Sequence, residues 1–275
     1  MLNQNGIRQV VEAFQENQQV TSIDICTNAD LFEEFERNCP DLVQKLSWGI
    51  SAYDFFESES KRARYFKLAK KLKAALMYTF TPSDIVQATD FSETCWKNGT
   101  RFKIAFSHSA SSWNAISADE IYKLVFSIVY SELDKTVERY PQFMSIAVMK
   151  PLRMVVGHML KRPQTNCRWC LDCNEKMTFY RGEFVGSCMQ ESVEKLSCKT
   201  SSMPPPPSCG DCDYIPICTK SCMFEHDSSR NVPASLCAIE RAQLDAFCQF
   251  AEAKKHDLKW RLVLRRIIEK DINYG

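Results

Sequence analysis

Apolar residues follow two alternating rhythms along the first part of the chain. Ile7, Val10, Val11 and Phe14 fall at the three- and four-residue steps of a helix. Beyond Gln18 and Gln19 the run Val20 to Cys26 reads as a strand that ends at Thr27-Asn28. A helix around Leu31, Phe32 and Phe35 is stopped by Pro40, and a second strand lies near Leu46 to Ala52. A long helix carries Phe66, Leu68, Ala69 and Leu72, and a third strand, Ala75 to Phe80, ends at Thr81-Pro82-Ser83. The next helix bears Ile85, Val86, Ala88 and Phe91 and breaks at Asn98-Gly99, ahead of a fourth strand, Arg101 to Phe106. Strands alternating with helices at this spacing predict an α/β region with a parallel sheet, and four βα units are visible. Ser117 and Glu120 stand at capping-box spacing before a stripe of Ile121, Leu124, Val125 and Ile128. A further helix is expected through Phe143, Ile146, Val148 and Met149 toward Leu160. These stripes read as core packing.

Composition changes this picture little. Of 275 residues, 45% are hydrophobic and 25% charged, which is ordinary for a folded domain. A formal charge of +1 offers no broad basic face for nucleic acid. The first twenty residues hold no apolar core of a signal peptide, and no run is long enough to span a bilayer. A cytoplasmic protein without membrane partners is expected. His108, after the fourth strand, reads as structural, and Lys254, Lys255, Arg261, Arg265 and Arg266 read as a solvated helix face.

Cysteine changes it a great deal. Of fourteen cysteines, only Cys26, Cys39 and Cys95 precede Cys167. That boundary predicts two domains, residues 1–165 and 166–275. One set has the spacing Cys209-x2-Cys212-x5-Cys218-x3-Cys222, followed by Cys237. Another is Cys167-x5-Cys173-x14-Cys188, with Cys170 and Cys198 nearby, and Pro204 to Pro207 forms a stiff lead into the first set. In a reducing compartment such clustering points to metal rather than disulfides. Thiolates are soft ligands, and an iron–sulfur cluster held by protein alone takes four. Structural zinc is the competing chemistry, although it favours two close pairs across a longer loop. Cys248, in the helical stretch Ala242 to Ala253, is expected in the core.

The run Cys209-Gly210-Asp211-Cys212-Asp213-Tyr214-Ile215-Pro216-Ile217-Cys218-Thr219-Lys220-Ser221-Cys222 resembles the SPASM domain of radical S-adenosylmethionine enzymes. That domain carries C-x2-C-x5-C-x3-C, an upstream C-x9–15-G-x4-C element and a trailing cysteine. The upstream element resembles Cys170 or Cys173 through Gly182 to Cys188, with five residues after the glycine instead of four. The resemblance implies two [4Fe–4S] clusters of auxiliary type. One would take Cys167, Cys173, Cys188 and Cys222, with Cys170 the alternative to Cys167 or Cys173. The other would take Cys209, Cys212, Cys218 and Cys237. Ile23 to Ala29 is similar to the third strand of the radical SAM barrel and its Thr-Asn-Gly turn, with Ala29 in place of glycine. Leu46 to Ala52, Leu76 to Phe80 and Phe102 to Phe106 are similar to the fourth, fifth and sixth strands. The implied fold is therefore a partial (β/α) barrel followed by a small cysteine-rich domain with terminal helices.

The C-x3-C-x2-C loop that binds S-adenosylmethionine in that family occurs nowhere in this sequence, nor does its Gly-Gly-Glu turn. No catalytic residue is carried over. The cofactor is expected only if the missing part is supplied, whether the chain is a truncated piece or a natural accessory protein. Two readings follow. One is a portion of an enzyme that modifies peptides or proteins; the other is a non-catalytic iron–sulfur or zinc module acting through a partner. A sheet lacking its first two strands also leaves Val20 to Cys26 as an edge, open to self-association or a partner chain.

Overall fold

The alternating rhythm of the first hundred residues becomes a sheet with strand order β1-β2-β3-β4: β1 (Asp24–Thr27), β2 (Ser47–Ser51), β3 (Ala75–Phe80) and β4 (Phe102–Phe106). The β1–β2 and β2–β3 pairs are parallel, with Ile25 beside Trp48 and Ile50 beside Leu76. This computed structural model describes residues 8–9, 12, 24–107, 110–140, 155, 178–180, 183–186, 207–215, 217–218 and 231–273. The expected strand residues 20–23, His108 and the expected helix from Phe143 toward Leu160, residue 155 excepted, lie outside them. So do Cys167, Cys170, Cys173, Cys188, Cys198 and Cys222.

Helices follow each strand, and local chemistry sets their ends. Asn28 caps α1 (Ala29–Asn38), its side chain accepting from the Leu31 amide at 2.8 Å. Pro40 does more than end that helix. With its φ already suited to a first helical turn, it opens the short α2 (Pro40–Val43). Ser58 caps α3 (Glu59–Leu72). After α4 (Ala88–Lys97), Gly99 adopts φ +62°. The Gly99 and Thr100 amides return to the Trp96 and Cys95 carbonyls at 3.1 and 3.0 Å, closing the helix end as a Schellman motif.

The chain divides into two compact units. The first comprises Met1–Thr79 and Gln87–Ala105. Its core is aromatic: Phe55 meets Phe91 edge-on at 5.0 Å, Phe91 meets Phe102 at 5.7 Å, and all three are fully buried. Trp48 receives Phe32 and Phe35 against its ring and donates its indole N–H to the Val43 carbonyl at 2.9 Å.

Asp54, 7% exposed, follows β2 and is held by the N-terminal half of α3. It accepts the Tyr65 hydroxyl proton and pairs with Lys61 at 2.6 Å. Burial works to raise its pKa, but the Lys61 ammonium and the Tyr65 hydroxyl outweigh burial and hold it below the ordinary carboxylate range. A lowered folded-state pKa means that the carboxylate stabilises the fold above its unfolded value, and that the contribution is lost as pH falls through the folded value. Asp54→Ala should lower the unfolding free energy by about 2–4 kcal/mol at neutral pH, because it strands a buried hydroxyl. In urea titrations from pH 7 downward, wild type and variant should converge as the carboxylate protonates. A constant gap through acid pH would show that packing, not charge, carries the effect.

The second unit comprises Phe80–Val86 and Phe106–Gly275. Ser117 caps α5 (Ala118–Glu138) as its spacing predicts, accepting from the Glu120 amide at 3.2 Å. This helix precedes the cysteine region, yet it packs on α6 (Ala234–Ala253), which follows it. Ile121, Val125, Val129 and Leu133 from α5 and Leu236, Ile239, Ala242, Ala246 and Phe250 from α6 are buried. Asp257 caps the final helix, α7 (Leu258–Asn273), whose Trp260 lies edge-on to Phe250 at 5.1 Å. β5 (Thr178–Tyr180) and β6 (Glu183–Gly186) form an antiparallel pair. Among the described residues no helix is long and apolar enough to cross a membrane.

Candidate metal centre

The segment from Pro207 to Cys218 is a succession of tight turns. The Gly210 amide bonds to the Pro207 carbonyl at 3.2 Å, Cys212 to Cys209 at 3.1 Å, and Ile215 to Cys212 at 3.1 Å. The Cys218 amide then returns to the Tyr214 carbonyl at 2.7 Å. A three-residue step closed by its own backbone bond keeps Cys209 and Cys212 on one short piece of chain. Among the described residues a Cβ placed on Gly210 meets only the Pro207 oxygen, at 3.6 Å.

Two sets of hydrogen bonds hold these turns on α6. At one end Ser208 and the lead into the helix exchange bonds. The Ser208 amide donates to Asn231 Oδ1 at 3.1 Å, and the Val232 amide donates to Ser208 Oγ at 3.1 Å. At the other end the Tyr214 hydroxyl donates to Asp245. Tyr122 on α5 donates to the other oxygen of the same carboxylate at 2.8 Å. One aspartate thus ties the cysteine turns to both long helices. The two tyrosine pKa values are raised, in each case by burial first and then by the Asp245 charge.

Cys237, Arg241 and Asp245 stand four residues apart on α6, so they share one face of the helix. That face meets the turns. The Cys237 thiol is pushed up in pKa by its burial, then by Cys209, with Cys212 adding to the rise and Arg241 opposing it. Cys209 is buried, whereas Cys212, Cys218 and Cys237 are half-buried. A cleft of about 330 Å³ opens beside them, lined by Ser208, Asp211, Cys212, Asp213, Tyr214 and Arg241.

Cys209 and Cys212 therefore lie near enough to Cys237 for their charges to act on it. They are not drawn to coordination spacing: among the described residues no group of three or more His, Cys, Asp or Glu side chains could hold a metal ion. The donors suit a thiolate-bound metal in kind, and the turns would have to close to grip one. The upstream set, Cys167, Cys173, Cys188 and Cys222, falls outside the described residues.

Cys248 corrects an expectation. It is exposed, because α6 turns Phe247 and Phe250 toward the core and leaves Cys248 on the outer side. Sequence reasoning also missed Arg241, Asp245 and Tyr214. For Arg241 and Asp245 the signal was the four-residue step from Cys237, which the leucines and phenylalanines of the opposite face overshadow, whereas Tyr214 had no such signal. No protein-family model matches the chain, and neither a curated protein nor a solved structure matches it.

Proposed function

We propose that the chain is an iron–sulfur protein resembling the accessory portion of a radical SAM/SPASM enzyme, with its parallel sheet forming part of a (β/α) barrel. The reading rests on one observation above all: the Cys209–Cys212 turn is bonded on both sides to α6 and the residues leading into it, the helix that carries Cys237. An all-thiol set of this kind suits a [4Fe–4S] cluster, which would supply a one-electron redox centre. Cys209, Cys212, Cys218 and Cys237 would hold it. Cys167, Cys173, Cys188 and Cys222 would hold a second, as the resemblance implies. Without a C-x3-C-x2-C loop the chain has no evident place for S-adenosylmethionine. Its role is then to bind a peptide or protein, or to work through a partner chain, in the cytoplasm.

Anaerobic reconstitution with iron and sulfide tests this. About eight irons per chain are expected for two [4Fe–4S] clusters, with a broad visible absorption that dithionite bleaches. Stoichiometric zinc and no iron uptake under the same conditions would establish the zinc module instead.

A further inference from the structure

Five of the six cations of α3 fall into sets with different surroundings. Arg64 pairs with Asp30 at 2.7 Å and Glu33 at 2.8 Å. Lys71 binds Glu36 at 2.6 Å, and Lys61 binds Asp54 and Glu57, both at 2.6 Å. Lys67 and Lys70 have no carboxylate at ion-pair distance among the described residues, and neither do Lys73 and Arg101 just beyond. These four line a single cleft of about 680 Å³, with Phe66 and Asn98 also in its wall, and no acidic residue among the described ones lines it.

Ordinary structural causes explain only part of this arrangement. A lysine in the last turn complements the negative end of a helix, which accounts for Lys70. It also accounts for the bond that the Arg101 guanidinium donates to the Lys73 carbonyl at the helix end, but not for Lys67 or for the gathering of all four cations around one cleft. Lys73 itself adopts φ +51°, the left-handed conformation that closes α3. Glycine takes that conformation at no steric cost, and a lysine there is strained. Four like charges around a concavity also repel one another and focus a positive potential into it.

We propose that this cleft binds a small molecule carrying two phosphate groups. Each phosphate brings about 1.5–2 negative charges near neutrality, so two match four cations. The volume lies within the roughly 300–1,000 Å³ of small-molecule sites, and the concave shape suits a compact polyanion better than a nucleic-acid duplex. The site lies wholly in the first compact unit, and its function does not depend on the cysteines.

Inorganic pyrophosphate is the probe, titrated calorimetrically into the full chain at low and at physiological ionic strength. Saturable binding at one site per chain is expected. The double variant Lys70→Gln/Arg101→Gln should weaken it at least about tenfold, equivalent to about 1.4 kcal/mol. Lys71→Gln, which removes a cation already paired with Glu36, should leave it within about twofold, since that charge is spent locally. Lys73→Gly separates binding from folding: affinity should fall while the melting temperature holds or rises, because glycine relieves the left-handed backbone. Absence of saturable binding overturns the proposal. So does equal weakening by Lys71→Gln, which would reveal diffuse attraction by the whole helix. Tighter binding of an RNA or DNA oligomer than of pyrophosphate, rising with oligomer length, would assign the cleft to nucleic acid and also overturn it.

Discussion

Asp245→Ala should lower the unfolding free energy by about 3–4 kcal/mol and release the cysteine turns from α6. Two tyrosine hydroxyls donate to this one carboxylate, from Tyr122 on α5 and from Tyr214 between Cys212 and Cys218. Hydrogen bonds to a charged acceptor contribute about 1.5–3 kcal/mol each, and the lower half of that range applies because the three side chains are only half-buried. The paired single variants divide the effect. Tyr122→Phe should cost stability through α5, with the turns unaffected, whereas Tyr214→Phe should leave α5 in place and loosen the turns. The alkaline limb supplies an independent readout. Both tyrosine pKa values are raised on folding, by burial and then by Asp245, so their contribution is complete below the unfolded value near 10 and is lost as pH rises through the folded ones. Absorbance at 295 nm should therefore show two tyrosines titrating late in the wild type and earlier in Asp245→Ala. Identical titrations would mean that the hydroxyls do not rely on Asp245.

Elements with strong local punctuation were legible in the residues. β3 runs Ala75–Phe80 as expected, because Thr81-Pro82 ends it and alternation marks Leu76, Tyr78 and Phe80 as inward. The end of α4 was announced by Asn98-Gly99, since the left-handed position after a helix favours glycine, and the start of α5 by Ser117. Lys73 shows the limit of such rules: it occupies the same left-handed position after α3 with no glycine to signal it. Pro40 carried a double meaning, and only its neighbours decide that it begins a helix as well as ending one. Pairing between distant elements left no local trace. Nothing near Ile121 or Leu236 says that α5 and α6 pack together, because each stripe states only that some partner exists. The candidate centre divides in the same way. The resemblance named Cys209, Cys212, Cys218 and Cys237, while the polar groups around the turns, Ser208, Asn231, Tyr214 and Asp245, sit at positions that spacing alone leaves neutral.

Replacing a ligand should have the largest effect on metal content. In reconstituted protein Cys212→Ala and Cys237→Ala should each remove one cluster of two, lowering iron by about half, because a four-thiol site that loses a thiolate has no equivalent donor. The two substitutions reach the site from opposite sides, one from the turns and one from α6, so matching losses would join these elements in one centre. Cys188→Ala should remove the other half, and Cys188→Ala/Cys212→Ala nearly all of it. Cys248→Ala is the internal control: that thiol is exposed, one turn beyond Asp245, and its loss should leave iron unchanged. Stability should follow metal, because a ligand that binds only the folded chain raises its melting temperature in proportion to occupancy. Wild type should thus melt higher after reconstitution than before, and Cys212→Ala should gain correspondingly less. Equal iron loss from Cys212→Ala and Cys248→Ala would show that the assignment of ligands is wrong. Unchanged iron in both Cys212→Ala and Cys237→Ala would remove the docked turn as the centre, because the two thiols it brings together would then be serving packing alone.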